Sequence, residues 1–160
     1  MRDRGVMEES GLLNGISMED VVSVFEAVLE AYPMILLVNL TKNTYTMIKE
    51  DGFLADELPR SGVYDNVIDY AAQIVHPNYQ KLLIDSFSRE QLLNVFAQGK
   101  KESYAKLYQK GKGQNYQWVI VRVIRVQDKD GDVREVCMSK ILGPEQGVEF
   151  RRMSGGPAAS

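Results

Sequence analysis

The sequence predicts an α+β fold: a five-stranded antiparallel sheet with helices between its second and third strands and a flanking helix at its N-terminal side. Two strand-like segments between residues 34 and 48 precede a helical region, and three more follow it between residues 104 and 142. Because short turns join neighbouring strands, those strands must pair in antiparallel fashion. The order of the segments therefore predicts one sheet with helices inserted in its middle.

The first element is an amphipathic helix over residues 17–32. Ser17 is a suitable N-cap, Asp20 follows three residues later, and Pro33 ends the helix. The apolar stripe of this helix, at helical spacing, consists of Val21, Phe25, Val28, Leu29 and Tyr32. Two interpretations stay open: the stripe packs on its own sheet, or it pairs with the same helix of a second copy.

Two groups of strands follow from β-branched and aromatic residues. The apolar run at 34–40 and the segment 45–48 form a predicted hairpin, because a Lys-Asn step suitable for a turn separates them. Within the segment 116–126, one face (Val119, Val121 and Val123) is wholly apolar. The opposite face (Trp118, Ile120, Arg122 and Ile124) is apolar but broken by one arginine, and coverage of both faces is typical of an interior strand. Asp130-Gly131, a strong hairpin signal, joins it to the closing strand at 133–142.

The middle of the chain has helical periodicity in two or three pieces. Ser61 is the candidate N-cap of the first piece, which runs to a break at His76-Pro77. Ser88 offers a second capping box with Gln91, and the helical pattern stops at Gly99. We expect these helices to cover one face of the sheet.

The composition sets limits on organisation and function. We divide the chain into a flexible leader (1–16), the amphipathic helix (17–32), one folded domain (33–142) and a flexible tail (143–160). Neither a signal peptide nor the roughly 20 apolar residues of a membrane helix is present. One cysteine and one histidine exclude a disulfide framework and a two-histidine metal site. A net charge of -3 gives no pull toward nucleic acid, so we expect a cytoplasmic protein without nucleic-acid or membrane contacts.

Several motifs, in their order and spacing, resemble those of the PAS domain. They are Val75-His76-Pro77-Asn78-Tyr79, Tyr116-Gln117-Trp118, Asp128-Lys129-Asp130-Gly131 and the closing strand 133–142. The resemblance covers residues 33–142 and is greatest to PAS modules that precede diguanylate cyclase or histidine kinase domains in bacteria. Ser139-Lys140-Ile141-Leu142 departs from the Asp-Ile-Thr-like ending of many members.

The resemblance implies a sensory signalling module. Such modules commonly dimerise through flanking helices, which favours pairing of residues 17–32 between two copies, and they pass a conformational bias to an output domain, here expected elsewhere in the parent protein. The alternative is a purely structural PAS domain that mediates dimerisation or protein interaction without a small-molecule ligand. A pocket of several hundred cubic ångströms, within the roughly 300–1,000 Å³ of ligand sites, would favour sensing, and an interior at ordinary density would favour scaffolding.

No residue pattern indicates catalysis. His76 could ligate haem or act as a base, but a histidine beside a proline break is more typical of a structural role. Cys137 could be a reactive thiol, but flavin-binding relatives carry their cysteine in an Asn-Cys-Arg-like helical motif, and Cys137 lies on a predicted strand, where a small buried residue is expected. The aspartates at 128–132 lack the spacing of a calcium loop. We therefore predict a non-enzyme without a metal site; the cofactor stays open, with no haem or flavin signature.

A pocket between sheet and helices is the candidate ligand site. Its predicted lining offers polar groups within an apolar shell and consists of Tyr45, Tyr64, Ile68, Tyr104, Val121 and Cys137. The alternative is that the tyrosines lie at the rim with their hydroxyls in water.

Overall fold

A computed structural model describes residues 15–54, 58–126 and 130–143. The chain divides into two units, residues 1–31 and 32–160. The predicted leader, apart from residues 15 and 16, and the predicted tail, apart from Gly143, lie outside the described residues.

The described part of the first unit is one helix, α1 (Met18–Ala31). The Asp20 N–H donates to Ser17 Oγ at 3.1 Å, so Ser17 caps α1 as predicted. None of the side chains of α1 is buried, and its charged residues are all acidic. Helix α1 therefore combines an apolar stripe with a negative face.

The second unit contains a six-stranded sheet in which every neighbouring pair is antiparallel. Its spatial order is β3-β2-β1-β6-β5-β4. The strands are β1 (Met34–Asn39), β2 (Thr44–Glu50), β3 (Ser61–Val63), β4 (Glu102–Lys110), β5 (Tyr116–Val126) and β6 (Arg134–Ile141). Strand β5 has a neighbour on each side, which confirms that it is an interior strand.

The predicted count of five strands is wrong, because β3 adds a sixth. The three residues Ser61–Val63 pair with β2 at one edge of the sheet. Ser61, the predicted N-cap, is therefore in a strand, and the helix begins three residues later at Tyr64. Asn43 takes over the capping from the β1–β2 turn: its backbone oxygen accepts the Tyr64 N–H at 3.0 Å, and its Oδ1 accepts the Asp65 N–H at 3.1 Å.

Four helical segments lie between β3 and β4. The prediction placed the helices between strands 2 and 3, because it did not include the additional strand β3. The four segments are α2 (Tyr64–Ile74), a 3-10 turn (Pro77–Tyr79), α3 (Gln80–Phe87) and α4 (Arg89–Ala97). Ser88 caps α4 as predicted, because its Oγ accepts the Gln91 N–H at 3.4 Å. The core lies between these helices and one face of the sheet, called the inner face here, which carries Leu36, Val38, Leu107 and Val123.

His76 forms the break between α2 and the 3-10 turn. Its Nδ1 accepts the Asn78 N–H at 3.1 Å, and its own N–H donates to the Tyr108 carbonyl at 2.7 Å. Its ring lies 5.7 Å from that of Tyr108 and 5.1 Å from that of Tyr116, between ring centroids. These contacts place His76 in the structural role that its position beside Pro77 indicates.

Candidate ligand cavity

A cavity of about 60 Å³ lies between the inner face of the sheet and the helices. At roughly 15 Å³ for each water-sized group, it has room for about four such groups. The helices contribute mainly aliphatic and aromatic side chains, and the strands contribute both apolar and small polar ones. The lining includes Met34, Leu36, Phe53, Leu54, Tyr64, Ile68, Ala71, Leu83, Phe87, Leu107, Gln109, Val121, Cys137 and Ser139.

The periods of the strands and of helix α2 explain why these residues line the cavity. Alternate residues of a strand point to the same face, so Cys137 and Ser139 of β6 both reach the inner face. On α2, Tyr64, Ile68 and Ala71 follow one another at spacings of four and three, which brings them to one side of the helix. The first helical piece that the sequence predicts before His76 thus forms one wall of the cavity.

Four of the six predicted lining residues come together at this cavity: Tyr64, Ile68, Val121 and Cys137. Tyr45 is buried elsewhere in the core, where its hydroxyl donates to the Pro59 carbonyl at 2.5 Å. Tyr104 is 55% exposed and lies under the guanidinium of Arg122, 5.6 Å from its ring centroid. Its neighbour Ala105 is buried, and the two-residue period of β4 therefore directs Tyr104 to the opposite face.

Sequence reasoning missed other parts of the lining. Ser139 shares the parity of Cys137 on β6, so the strand period could have identified it. Gln109 is buried on β4 at the same parity as Leu107. Phe53 and Leu54 come from the loop after β2, where no period predicts orientation.

The polar groups at the cavity are held in their neutral forms. Tyr64 is buried and donates its hydroxyl to the Phe87 carbonyl at 2.6 Å. Burial, followed by the charge of Glu135, raises the pKa of Tyr64. The same two causes raise the pKa of the half-buried Cys137, so its thiol is not poised as a nucleophile.

Glu135 is the acidic group of this region, and sequence reasoning did not single it out. Its side chain is 0% exposed, and neither carboxyl oxygen has a hydrogen-bond partner within residues 15–54, 58–126 and 130–143. Burial raises the pKa of Glu135 to about 8, so the carboxyl is mainly protonated at neutral pH. The sequence could have indicated this position, because Glu135 lies two residues before Cys137 on one strand and alternate residues of a strand share a face.

The predicted dimer stripe is divided between the two units. Val21, Phe25, Val28 and Leu29 lie on α1, where Phe25 is 58% exposed. Tyr32 follows the end of α1 and belongs to the second unit, where the Lys140 ammonium lies 5.2 Å from its ring centroid.

The described residues contain no group of three or more side chains suited to holding a metal ion. Asp130, in the turn before β6, accepts hydrogen bonds from both terminal nitrogens of Arg134 at 2.8 and 2.9 Å, as a solvated hairpin turn allows. These bonds lower the pKa of Asp130. Asp128 and Lys129 lie outside the described residues. In the same described ranges, no helix is both long and apolar enough to cross a membrane.

No protein-family model matches the sequence, and no curated protein matches it. Among solved structures, a sensory box histidine kinase/response regulator from Burkholderia thailandensis E264 is similar at 11% identity and a TM-score of 0.51, covering 82% of this chain and 93% of that one. The N-terminal domain of a diguanylate cyclase with PAS/PAC sensor from Marinobacter aquaeolei matches at 15% identity and a TM-score of 0.41, covering 71% and 97%. The first likeness shows the fold, and the predicted PAS-like fold is thereby confirmed.

Proposed function

We propose that this chain is a non-catalytic sensory module in which a small molecule bound in the cavity biases the packing of α2–α4 on the sheet. The bias would pass to an output domain in the cytoplasm of a bacterial cell. The supporting observation is an apolar cavity between sheet and helices in a PAS-like fold. A ligand can shift such an equilibrium only through different affinities for the two arrangements.

The chemistry of the lining favours a small, largely apolar ligand. Most of the wall is aliphatic or aromatic, and its polar atoms belong to Tyr64, Tyr70, Gln109, Cys137 and Ser139. None of the described lining side chains is basic, so a carboxylate or phosphate would enter without a counter-charge. The raised pKa values of Tyr64 and Cys137 keep both groups neutral, which supports binding rather than nucleophilic catalysis.

The ligand can be tested with a variant that fills the cavity. Ala71→Leu adds volume to the wall, whereas Ala97→Leu makes the same change at an exposed position near the end of α4. Native mass spectrometry and a thermal-shift screen of small apolar compounds should detect binding to the wild type and to Ala97→Leu but not to Ala71→Leu. If no compound binds the wild type, or if Ala71→Leu binds equally well, the ligand role fails.

We also propose that the module dimerises through α1. The exposed side chain of Phe25 and the stripe around it would be buried against the same helix of a second copy. Analytical ultracentrifugation should show a dimer for the wild type and for Glu26→Gln, and a monomer for Phe25→Lys or for a chain lacking residues 17–32. Dimers that persist without these residues would contradict helix pairing.

A second candidate function is a purely structural interaction module, and the small volume of the cavity favours it. Exposed apolar side chains on the outer face of the sheet, Leu37 and Ile48, offer contact area for a partner. If the wild type dimerises but binds no compound in the screen, the results support this structural alternative.

A further inference from the structure

The buried carboxyl of Glu135 is energetically unfavourable for a module that only needs a packed core. Glu135 lies on the inner face of β6, with Val38 opposite it on β1 and Arg125 opposite it on β5. A buried polar group without a partner costs about 1–3 kcal/mol, and a charged one costs more, whereas an apolar side chain of similar size would cost nothing. The stability of this region therefore depends on whether Glu135 carries its proton.

Two hydrogen-bond donors near Glu135 are engaged elsewhere. The Tyr64 hydroxyl of α2, whose pKa is raised by burial and then by the charge of Glu135, donates to the Phe87 carbonyl at 2.6 Å. The Arg125 guanidinium, on the residue paired with Glu135, donates to the Phe96 carbonyl at 3.2 Å and lies over the Phe96 ring.

These two bonds connect helix ends to the rest of the domain. Phe87 is the last residue of α3, and Phe96 is the penultimate residue of α4. Carbonyls at the C-terminal end of a helix lack intrahelical partners, so an external donor stabilises each end. The Phe96 carbonyl also accepts the Gly99 N–H at 3.1 Å, and Arg125 is therefore its second donor. A new acceptor that withdrew either donor would loosen the corresponding helix.

The other described groups around Glu135 offer no charge compensation. Its own strand contributes Cys137, whose thiol is neutral, and β1 contributes the apolar Val38. From α3 and α4, the core receives Phe87, Leu92 and Phe96, which are also apolar. Tyr64 and Arg125 are therefore the donors to which a Glu135 carboxylate would turn.

We propose that Glu135 is a proton-operated switch of helix packing. When its O–H bond breaks and the proton passes to water, the carboxylate accepts hydrogen bonds from Tyr64 and Arg125, which then release the carbonyls of Phe87 and Phe96. Burial places the Glu135 pKa at about 8, so the change occurs at mildly alkaline pH. This inference goes beyond the proposed ligand and dimer, and it stands or falls independently of both.

Two measurements on the full chain test the switch between about pH 6 and about pH 10. Infrared difference spectra report a protonated buried carboxyl through its carbonyl stretch, and hydrogen exchange, corrected for intrinsic rates, reports the protection of α3 and α4. In the wild type and in Glu102→Gln, an exposed control on β4, the carboxyl signal should disappear with rising pH while protection falls by about tenfold or more. Glu135→Gln should show neither change.

The switch is overturned if the wild type lacks the protonated signal at about pH 6, or if protection of the helices does not respond to pH. An equal response in Glu135→Gln would overturn it as well. Tyr64→Phe provides a second variant if Glu135→Gln does not fold: the pH response of α3 should vanish while that of α4 remains. An unchanged α3 response in Tyr64→Phe would contradict the exchange of hydrogen bonds.

Discussion

Replacing Val121 with isoleucine tests whether the interior holds unfilled space. Val121 lines the cavity from β5, and its neighbours across the sheet are the small residues Ala105 on β4 and Ser139 on β6. Three small side chains side by side leave the sheet wall thin at this point. An added methyl group therefore has volume to enter.

The expected gain follows from the cavity volume. At about 24 cal/mol for each Å³, removing the whole cavity of about 60 Å³ would stabilise the fold by roughly 1.4 kcal/mol. One buried methylene contributes about 0.8 kcal/mol, so Val121→Ile should increase the free energy of unfolding by about 0.5–1 kcal/mol. In a core already at full density, the same change would instead cost about 1–3 kcal/mol. The two cases therefore predict changes of opposite sign in the free energy of unfolding.

Urea denaturation distinguishes these cases, with Val123→Ile as the matched control. Val123 lies on the same strand and face, is 0% exposed and is not part of the cavity lining. Val121→Ile should raise the midpoint without changing the slope, and Val123→Ile should lower the midpoint. A destabilised Val121→Ile would refute the cavity, and with it the proposed ligand site.

Three further predictions concern single polar groups. The folded-state pKa of Glu135, about 8, exceeds its reference value of 4.5, so its contribution to stability is complete below about pH 4.5 and is lost as the pH rises to about 8. In denaturation near pH 7, Glu135→Gln should therefore be about 3 kcal/mol more stable than the wild type. Equal pH profiles of the two proteins would contradict this. Tyr64→Phe leaves the Phe87 carbonyl without its donor and should cost about 1–2 kcal/mol in urea denaturation, so an unchanged midpoint would argue against that bond. Ser88→Ala removes the cap on the Gln91 N–H and should cost about 1 kcal/mol, with Ser88→Asp retaining most of the stability; equal losses in both would rule out capping as the cause.

Local signals in the sequence were sufficient for most elements of the fold. Ser17 and Ser88 cap the helices they precede, because a capping hydrogen bond spans only three residues and needs no distant partner. The periods of 3.6 and 2 likewise predicted α2, β5 and the closing strand. Ser61 shows the limit: Asn43, far away in the chain, supplies the cap of α2, and Ser61 becomes available to extend the sheet.

The cavity could likewise be predicted only in part from the sequence. The sequence shows a residue's parity along a strand and its place on one side of a helix, and this is why Tyr64, Ile68, Val121 and Cys137 of the predicted lining lie at one cavity. Only the tertiary structure decided that a gap remains beside Val121 and that Glu135 is enclosed without a partner in the part of the chain that the structure describes. Periodicity specifies which way a side chain points, but the space it meets and the donors within its reach depend on segments that come together only when the chain folds.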